Sequence, residues 1–373
     1  MPMVRRQTAA SRANSDHLFI VYICLLLAFG LLMLMSASAP VGYERFGDKY
    51  FFIKRQLLFG VLPGFLTFFI CSKLRYERLE RLAWPAFLGA AALLVFTYVP
   101  GIGATLGTNA KSWLIIGNYS FQPAEFAKLG LIMFLALWIT KQGRRLRDFK
   151  SGFLLILVFA LIPVALVVGQ PDVGTAAILF VIIFGMLFVG RARLGHLIGL
   201  ALVGATSLAL MIAAAPYRAA RLVTFLHPEL DPLGIGYHMN QAFLAIGSGG
   251  WFGLGLGHSR QKFEYLPEVQ ADSIFAVVGE EMGFVFAAGL VILLLLIAYR
   301  GFQLAKQTRD QFGQLLVAGI IIWFLTQSFL NIGAMVGVLP LTGVPLPFVS
   351  HGGTALLVAL AAAGLVVNVS KHV

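Results

Sequence analysis

The feature that most constrains this chain is a series of long apolar segments separated by short polar ones. A membrane-spanning helix needs roughly 20 mostly apolar residues. Segments of this kind occur at 18–39, 54–72, 82–99, 124–140, 152–169, 173–190, 195–215, 273–299, 313–337 and 352–370. The sequence is 59% hydrophobic and only 12% charged, whereas soluble domains are about 25% charged. We therefore predict an all-α polytopic membrane protein with about ten transmembrane helices.

The N-terminus places three arginines ahead of the first apolar segment, as a signal peptide would. That segment runs from Leu18 to Ala39, which is long enough to span a bilayer, so we expect a retained anchor. The predicted organisation is a cytoplasmic tail at 1–17 followed by a single membrane domain at 18–373. Cys24 and Cys71 both fall in apolar segments, which argues against a disulfide or metal framework.

The distribution of basic residues predicts the orientation. With a cytoplasmic N-terminus, about two thirds of the Lys and Arg residues fall in short loops on the inside, as the positive-inside rule requires. Both termini are then cytoplasmic in a multi-pass protein. The net charge of +12 is thus largely a topology signal, and we predict contact with membrane lipids and none with nucleic acid.

In this orientation three uncommon loops face outward. Lys111 is the only charged residue of the first, at 100–123. The loop at 216–271, between helices 7 and 8, is far longer than the other connections, and long loops are usually functional or disordered. Its many aromatic residues argue against disorder, so we predict a large structured extracytoplasmic loop. The third loop, at 338–351, is uncharged and rich in proline and glycine.

Two pairs of charged residues have both a structural and a functional interpretation. Glu125 and Lys128 are three residues apart on one face of the fourth segment. They form either a buried ion pair or the floor of a cavity that opens outward below Lys111. Arg218 and Arg221 lie at the outer end of the seventh segment. They either extend to lipid headgroups or bind the phosphate of a ligand.

Common catalytic motifs are missing. The alternate glycines of GGWFGLGLGHSRQK (249–262) have no βαβ context, which excludes a dinucleotide fingerprint, and His258 has no second ligand at metal-binding spacing. The sequence contains no HExxH, nucleophile elbow or P-loop. We predict no protein-bound metal site from these patterns.

Asp272 is the most informative acidic residue. It stands where a polar loop meets an apolar helix that begins near Ser273, in YLPEVQADSIFAVVGEEMGF (265–284). Aspartate is a favoured helix N-cap, and that role would lower its pKa. Burial beside a cavity would raise the pKa and suit a catalytic base. The residues alone leave both roles open.

Taken together, several motifs resemble one family. These are SASAP (36–40), KSWLIIGNYSFQPAEFAKL (111–129), QPDVGTA (170–176), the segment 217–283 and NIGAMVGVLPLTGVPLPFVSHGG (331–353). In this order they are similar to the SEDS proteins of bacteria, which act in shape, elongation, division and sporulation and are typified by RodA and FtsW. The division type is favoured by FLHPELDPLGIGYHMNQ and FEYLPEVQADSIFAVVGEE. His351 departs from the family, which usually has Tyr there.

The resemblance implies a peptidoglycan glycosyltransferase of the bacterial cytoplasmic membrane that polymerises lipid II and releases undecaprenyl pyrophosphate. Asp272 matches the family's catalytic aspartate and would act as general base. The other predicted substrate contacts are Lys111, Glu125, Lys128, Arg218, Arg221, Lys262 and Ser350. A divalent cation is a candidate helper at the pyrophosphate. The implied partner is a class B penicillin-binding protein, a transpeptidase.

Two other functions remain open at this stage. A flippase or transporter of lipid-linked precursors would depend on residues within the membrane, such as Glu125 and Lys128. A non-catalytic division scaffold would tolerate the loss of Asp272. The concentration of polar, structured sequence in the outward loops favours the enzyme.

Overall fold

The computed structural model describes residues 16–105, 110–117, 119–227, 230–231, 234, 236–263 and 265–372. The cytoplasmic tail predicted at 1–17 therefore lies almost entirely outside the described residues. These residues form thirteen α-helices: α1 (His17–Phe46), α2 (Phe51–Gln56), α3 (Leu62–Lys73), α4 (Tyr76–Phe96), α5 (Pro123–Gln142), α6 (Leu154–Gly169), α7 (Val173–Val189), α8 (Leu194–Ala213), α9 (Pro216–Leu226), α10 (Tyr237–Ser248), α11 (Ile274–Gln307), α12 (Gln311–Met335) and α13 (Gly353–Ser370).

The predicted spans all coincide with apolar helices. Within the described residues, nine helices are long and apolar enough to cross a membrane. The remaining predicted span, at 173–190, corresponds to α7, an apolar helix of 17 residues. This helix covers about 25 Å at 1.5 Å per residue. A π-helical turn at Leu57–Val61 joins α2 to α3 into a single span. The polytopic helical architecture is confirmed.

The most buried helices lie at the centre of the bundle. In α5, α12 and α13 at least two thirds of the most apolar window is buried, whereas in α8 only 11% is. A helix that keeps most of its apolar surface exposed within the protein needs a hydrophobic solvent around it. The exposed apolar faces of α1, α3 and α8 are therefore the lipid-facing surface.

The ends of the bundle are joined by polar contacts that group the loops on two faces. On one face Arg300 pairs with Asp16, and the backbone N–H of Asp16 donates to Ser370 Oγ at 3.2 Å. The start of α1 and the end of α13 therefore lie on the same side, as an even number of crossings requires. On the opposite face, the backbone N–H of His351 donates to Gln270 O at 2.7 Å, which joins the loop at 338–351 to the loop that carries Asp272.

The helical architecture carries one small addition that was not predicted. The first outward loop contains a small antiparallel sheet of β1 (Gly103–Ala104), β2 (Trp113–Ile116) and β3 (Tyr119–Phe121) in the order β1-β2-β3. Gly117, which has a φ of +63°, lies at the turn between β2 and β3, a conformation that glycine adopts without strain. The signal in the sequence was the dipeptide Gly-Asn between two apolar stretches, which is typical of a hairpin.

The long loop at 216–271 is structured where it is described. It contains α9 and α10, and α10 packs against the outer end of α11 through Met239, Ala242 and Ala245, which are buried. Charged and apolar residues separate onto opposite sides of α9, with Leu222, Val223 and Leu226 exposed. This distribution is typical of a helix that lies in the interface of a membrane.

Candidate active site

Asp272 lies immediately before α11 and is not its cap. The N-cap residue is Ser273, whose side chain makes no capping hydrogen bond. The hydroxyl of Ser273 is used elsewhere, because it contacts Pro267 O at 2.7 Å and His238 Nε2 at 2.6 Å. The interpretation of Asp272 as a helix cap is therefore wrong, and the carboxylate remains available for another role.

The surroundings of Asp272 favour its protonated form. Burial raises the pKa of Asp272 to about 7, and the negative charge of Glu268 adds to the rise. A weak contact with Ser273 and the positive charge of Arg221 act in the opposite direction. A carboxylate with a pKa near the working pH is a better base than an ordinary aspartate.

The backbone of Asp272 is held in place by α12. Asn331 Nδ2 donates to Asp272 O at 2.7 Å and to Val344 O at 2.8 Å, so a single amide joins the aspartate to the loop at 338–351. The side chain lies beside Gly343, where an added Cβ would come within 3.8 Å of Asp272 Oδ2. The amide oxygen Asn331 Oδ1 is buried and accepts no hydrogen bond from the described residues.

One turn below Asn331, Gln327 connects the same loop to the predicted ion pair. Lys128 Nζ lies 2.8 Å from Glu125 Oε1 and 2.7 Å from Gln327 Oε1, and Gln327 Nε2 donates to Pro345 O at 2.8 Å. The ammonium also lies 4.9 Å from the centroid of the Trp323 ring. Glu125 and Lys128 are both almost completely buried, so the two form the buried ion pair of the structural interpretation, and their contact with substrate stays a prediction.

A small cavity, with room for about one water molecule, adjoins this ion pair. Its lining includes Glu125, Gln327 and Ser350, together with apolar residues of the loop at 338–351 and of α13. Glu125 Oε2 is buried and lies 2.8 Å from Lys128 Nζ, so both carboxylate oxygens face the ammonium. Ser350 Oγ accepts a bond from the backbone N–H of Leu346 at 2.9 Å, which leaves its hydroxyl proton free to donate.

The predicted phosphate-binding residues separate into two groups. Arg221 is exposed on α9 and acts electrostatically on both Asp272 and His238. Arg218 is half-buried and donates to Tyr217 Oη at 2.9 Å and to Met211 O at 3.1 Å. Lys111 is exposed at the start of the strand region. Arg221 is therefore the basic residue that the structure brings to Asp272.

Lys262 does not belong to this group. Its ammonium lies 2.7 Å from Glu281 Oε1, 2.8 Å from Gly257 O and 3.2 Å from Ser36 Oγ, and the side chain is almost completely buried. All three N–H donors have partners inside the protein. The structure therefore does not bring Lys262 to Asp272, because this residue is committed to a buried ion pair that the loop composition did not reveal.

His351 lies at the edge of the site. Its ring packs edgewise on Phe52 at 5.1 Å, and Nδ1 is buried without a hydrogen bond from the described residues. Burial, and after it the charge of Arg55, lowers the pKa of His351 to about 4. This histidine is neutral at physiological pH and contributes no titration there.

The residues around Asp272 do not form a metal site of the usual kind. Among the described residues, no group of three or more His, Cys, Asp or Glu side chains lies close enough together to hold an ion. A divalent cation at the pyrophosphate therefore stays a prediction, in which one or two carboxylates and the phosphates of the ligand would share the coordination.

Sequence reasoning missed the two amides that organise the site. Gln327 and Asn331 are four residues apart in TQSFLNIG, on one face of an otherwise apolar helix. Polar side chains within a membrane span are costly unless they have partners, so this spacing was the available signal. The third residue that was missed, His238, had no comparable signal, since its contact with Ser273 depends on how the long loop folds.

Comparisons with known proteins agree with this geometry. Residues 16–373 match the FtsW/RodA/SpoVE family, which is described as cell cycle protein. Stage V sporulation protein E of Bacillus subtilis (strain 168) is 37% identical over 97% of this chain and 98% of its own length. A protein of Geobacter sp. (strain M18) named probable peptidoglycan glycosyltransferase FtsW is 35% identical over 96% of this chain and 97% of its own.

A solved structure has the same architecture. It is described as showing the structural coordination of polymerization and crosslinking by a peptidoglycan synthase complex. One of its chains superimposes with a TM-score of 0.78 at 30% sequence identity, covering 96% of this chain and 98% of that chain. The helical membrane fold is therefore shared with a chain of that complex.

Proposed function

This chain belongs to the FtsW/RodA/SpoVE family of cell cycle proteins, and from that premise we propose that it polymerises lipid II with Asp272 as the general base. It is a peptidoglycan glycosyltransferase of the cytoplasmic membrane. The observation that carries the catalytic assignment is the environment of Asp272, where burial and Glu268 raise the pKa to about 7 at an outward loop.

The reaction is a displacement at the anomeric carbon of the donor. A sugar hydroxyl of the acceptor attacks that carbon, the new C–O bond forms, and the bond to the lipid pyrophosphate breaks. The Asp272 carboxylate takes the proton that the hydroxyl loses. Attack opposite the leaving group inverts the configuration, so that an α-linked donor yields a β-linked polymer.

The leaving pyrophosphate needs positive charge close to the base but not in contact with it. Arg221 is exposed and electrostatically coupled to Asp272, which makes it the foremost candidate for this role. Arg218 and Lys111 lie on the same outward side in the predicted orientation and extend the basic surface. Positive groups placed where charge develops stabilise the transition state.

The polar residues beneath Asp272 would position the substrate. Asn331 Oδ1 is a buried acceptor without a hydrogen bond from the described residues, and Ser350 has a free donor. Acceptors of this kind match the hydroxyl and amide groups of a sugar. The ion pair between Glu125 and Lys128 also fixes α5 against α12, so its loss would affect both stability and binding.

Two features of the biological role come from the relatives. Those named FtsW and stage V sporulation protein E favour a division-type or sporulation-type enzyme over an elongation-type one. The matched synthase complex couples polymerisation to crosslinking, which supports a class B penicillin-binding protein as partner. We propose that the two proteins form one complex in which this chain makes the strand and the partner crosslinks it.

The decisive experiment is polymerisation of labelled lipid II by the purified protein and by Asp272→Asn, each with and without the candidate transpeptidase. We expect glycan strands from the wild type and a loss of at least about 100-fold in the variant, as for other general bases. Asn331→Asp, which alters a neighbouring group and keeps the carboxylate of Asp272, serves as a comparison for damage to positioning alone.

Asp272→Asn also provides its own folding control. Because the pKa of Asp272 is raised in the folded protein, its carboxyl group favours folding only in the protonated form. The stability that depends on this proton is lost as pH rises from about 4 to about 7. The neutral amide should therefore be at least as stable as aspartate at pH 8. Equal polymerisation by a well-folded Asp272→Asn protein would refute the general-base role, and absence of product from every protein would favour a flippase or a scaffold.

A further inference from the structure

The contact between His238 and Ser273 joins the long outward loop to Asp272. His238 lies in the first turn of α10, and its Nε2 is 2.6 Å from Ser273 Oγ. Ser273 is completely buried, and the same hydroxyl lies 2.7 Å from Pro267 O and 3.5 Å from Asp272 Oδ1. One hydroxyl is therefore shared by a histidine, a carbonyl and the reactive carboxylate.

The number of protons determines the direction of these bonds. A serine hydroxyl has one proton to donate, and a carbonyl can only accept. The hydroxyl proton therefore lies toward Pro267 O or toward Asp272 Oδ1, and His238 Nε2 must be the donor. Burial, and after it the charge of Arg221, lowers the pKa of His238 to about 4, so the ring is neutral with its proton on Nε2.

We propose that His238 is a positioning residue for Asp272, which holds the Ser273 hydroxyl so that its proton can be donated to the carboxylate as that carboxylate becomes charged. This inference rests on the proposed role of Asp272. In this positioning role, His238 touches no reacting atom. Through Ser273 the ring makes α10, and hence the fold of the long loop, a part of the active site.

The consequence is a change in how easily Asp272 ionises. A hydrogen bond to the charged form of a carboxyl group lowers its pKa, and the contact from Ser273 acts in this direction on Asp272. The other groups that act on the two residues are the backbone N–H of Asp272, Arg221 from α9 and Glu268 from the preceding turn. Loss of the donor from His238 would remove its polarisation of the Ser273 hydroxyl, which would weaken the bond from Ser273 and make the carboxylate harder to ionise.

The test is the dependence of lipid II polymerisation on pH for the wild type, His238→Ala, His238→Gln, Ser273→Ala and the double variant His238→Ala/Ser273→Ala. On the acidic side of the profile the rate rises as Asp272 ionises, and we call this rise the acid limb. We expect the acid limb to move to higher pH by about half a unit to one unit in His238→Ala and in Ser273→Ala. Activity should then fall several-fold at pH 6.5 and recover near pH 8.5. The glutamine side chain can donate from Nε2 and should restore the wild-type limb.

Two comparisons separate positioning from simple damage. The double variant should shift the limb no further than either single one, because the two residues act in one chain. His258→Ala is the matched control, since His258 is an exposed loop histidine whose Nδ1, within the described part of the chain, makes a hydrogen-bond contact with Leu256 O at 3.2 Å. It should leave the limb unchanged.

The result that would overturn the inference is a fall in activity without a shift of the acid limb, or equal shifts for His238→Ala and His238→Gln. Should His238→Ala fail to fold, the Ser273→Ala and His238→Gln curves decide in the same way. Asp272→Asn in the same series separates the two proposals. If it is inactive while the limb of His238→Ala is unmoved, only the role of His238 fails, whereas an active Asp272→Asn removes the basis of both.

Discussion

At the residue scale, the pKa of Asp272 sets the pH dependence of the enzyme. A general base must be ionised, and burial with Glu268 raises the pKa to about 7. We expect polymerisation to be weak at pH 5, to rise about tenfold per unit and to level off above about pH 7. A profile of initial rates in a constant-ionic-strength buffer, with saturating lipid II, measures this directly.

The assignment of that acid limb is unambiguous among the neighbouring histidines. Burial lowers the pKa of both His238 and His351 to about 4, so neither titrates between pH 5 and 8. A profile that is flat from pH 5 to 8 would contradict the prediction and would place the proton acceptor elsewhere.

A second prediction at this scale concerns Lys262. Its replacement by Met would leave the buried carboxylate of Glu281 without its partner, which costs about 3–5 kcal/mol in buried pairs. We expect Lys262→Met to lower the unfolding temperature of the detergent-purified protein strongly, and Lys262→Met/Glu281→Gln to recover part of the loss. Thermal unfolding followed by tryptophan fluorescence provides the measurement.

The outcome also tests whether Lys262 contacts the substrate. If Lys262→Met were as stable as the wild type and yet failed to polymerise lipid II, the ammonium would be a substrate contact after all. Sequence could single out Asp272, because this acid stands where a polar loop meets an apolar helix, but only the family resemblance implied its catalytic role. It could not separate Lys262 from Arg221, because both are basic residues of one outward loop and only the folded loop determines which is buried.

At the element scale, the unusual feature is a break in α11 at Gly283. Its φ of +75° and ψ of −175° belong to a region that is essentially restricted to glycine. The glycine-rich loop packs onto the break, where Leu254 N donates to Glu280 O and Phe284 N donates to Gly250 O, both at 2.9 Å. The alternate glycines that resembled a nucleotide fingerprint therefore serve close packing of backbone on backbone.

Gly283→Ala should destabilise the protein for two reasons. The strained backbone costs about 1–3 kcal/mol, and the new Cβ would lie 2.3 Å from Gly253 N. Gly289→Ala, in the same helix, is the matched control, because an added Cβ there meets nothing within 4 Å. We expect a loss of folded yield only for Gly283→Ala, and equal yields for the two variants would contradict the strain argument.

The elements that sequence predicts are those fixed by local composition. The spans follow from apolar runs, and the structured character of the loop at 216–271 follows from its aromatic residues. The break in α11 depends on tertiary contacts, since Gly283 is paired with a loop 30 residues away. Hydropathy averaged over a window of residues does not detect such a break.

At the scale of the whole molecule, the remaining prediction is orientation. The contacts of Asp16 with Arg300 and Ser370 group the two chain ends on one face, and the positive-inside rule places that face in the cytoplasm. Asp272, Arg221 and the loop at 338–351 then face outward, where a polymer destined for the wall must be made. Function and topology are thus linked, because an inward Asp272 could not extend an external glycan.

Orientation can be measured with single cysteines in a background that carries Cys24→Ala and Cys71→Ala. Lys49 lies between α1 and α2 and Arg144 follows α5, and both are exposed on opposite faces of the bundle. In right-side-out vesicles, an impermeant maleimide should label Lys49→Cys and spare Arg144→Cys until the membrane is permeabilised. Inside-out vesicles should reverse the pattern. Labelling of Arg144→Cys from the outside would place Asp272 in the cytoplasm, and the substrate of this site would then have to be a precursor on the inner leaflet.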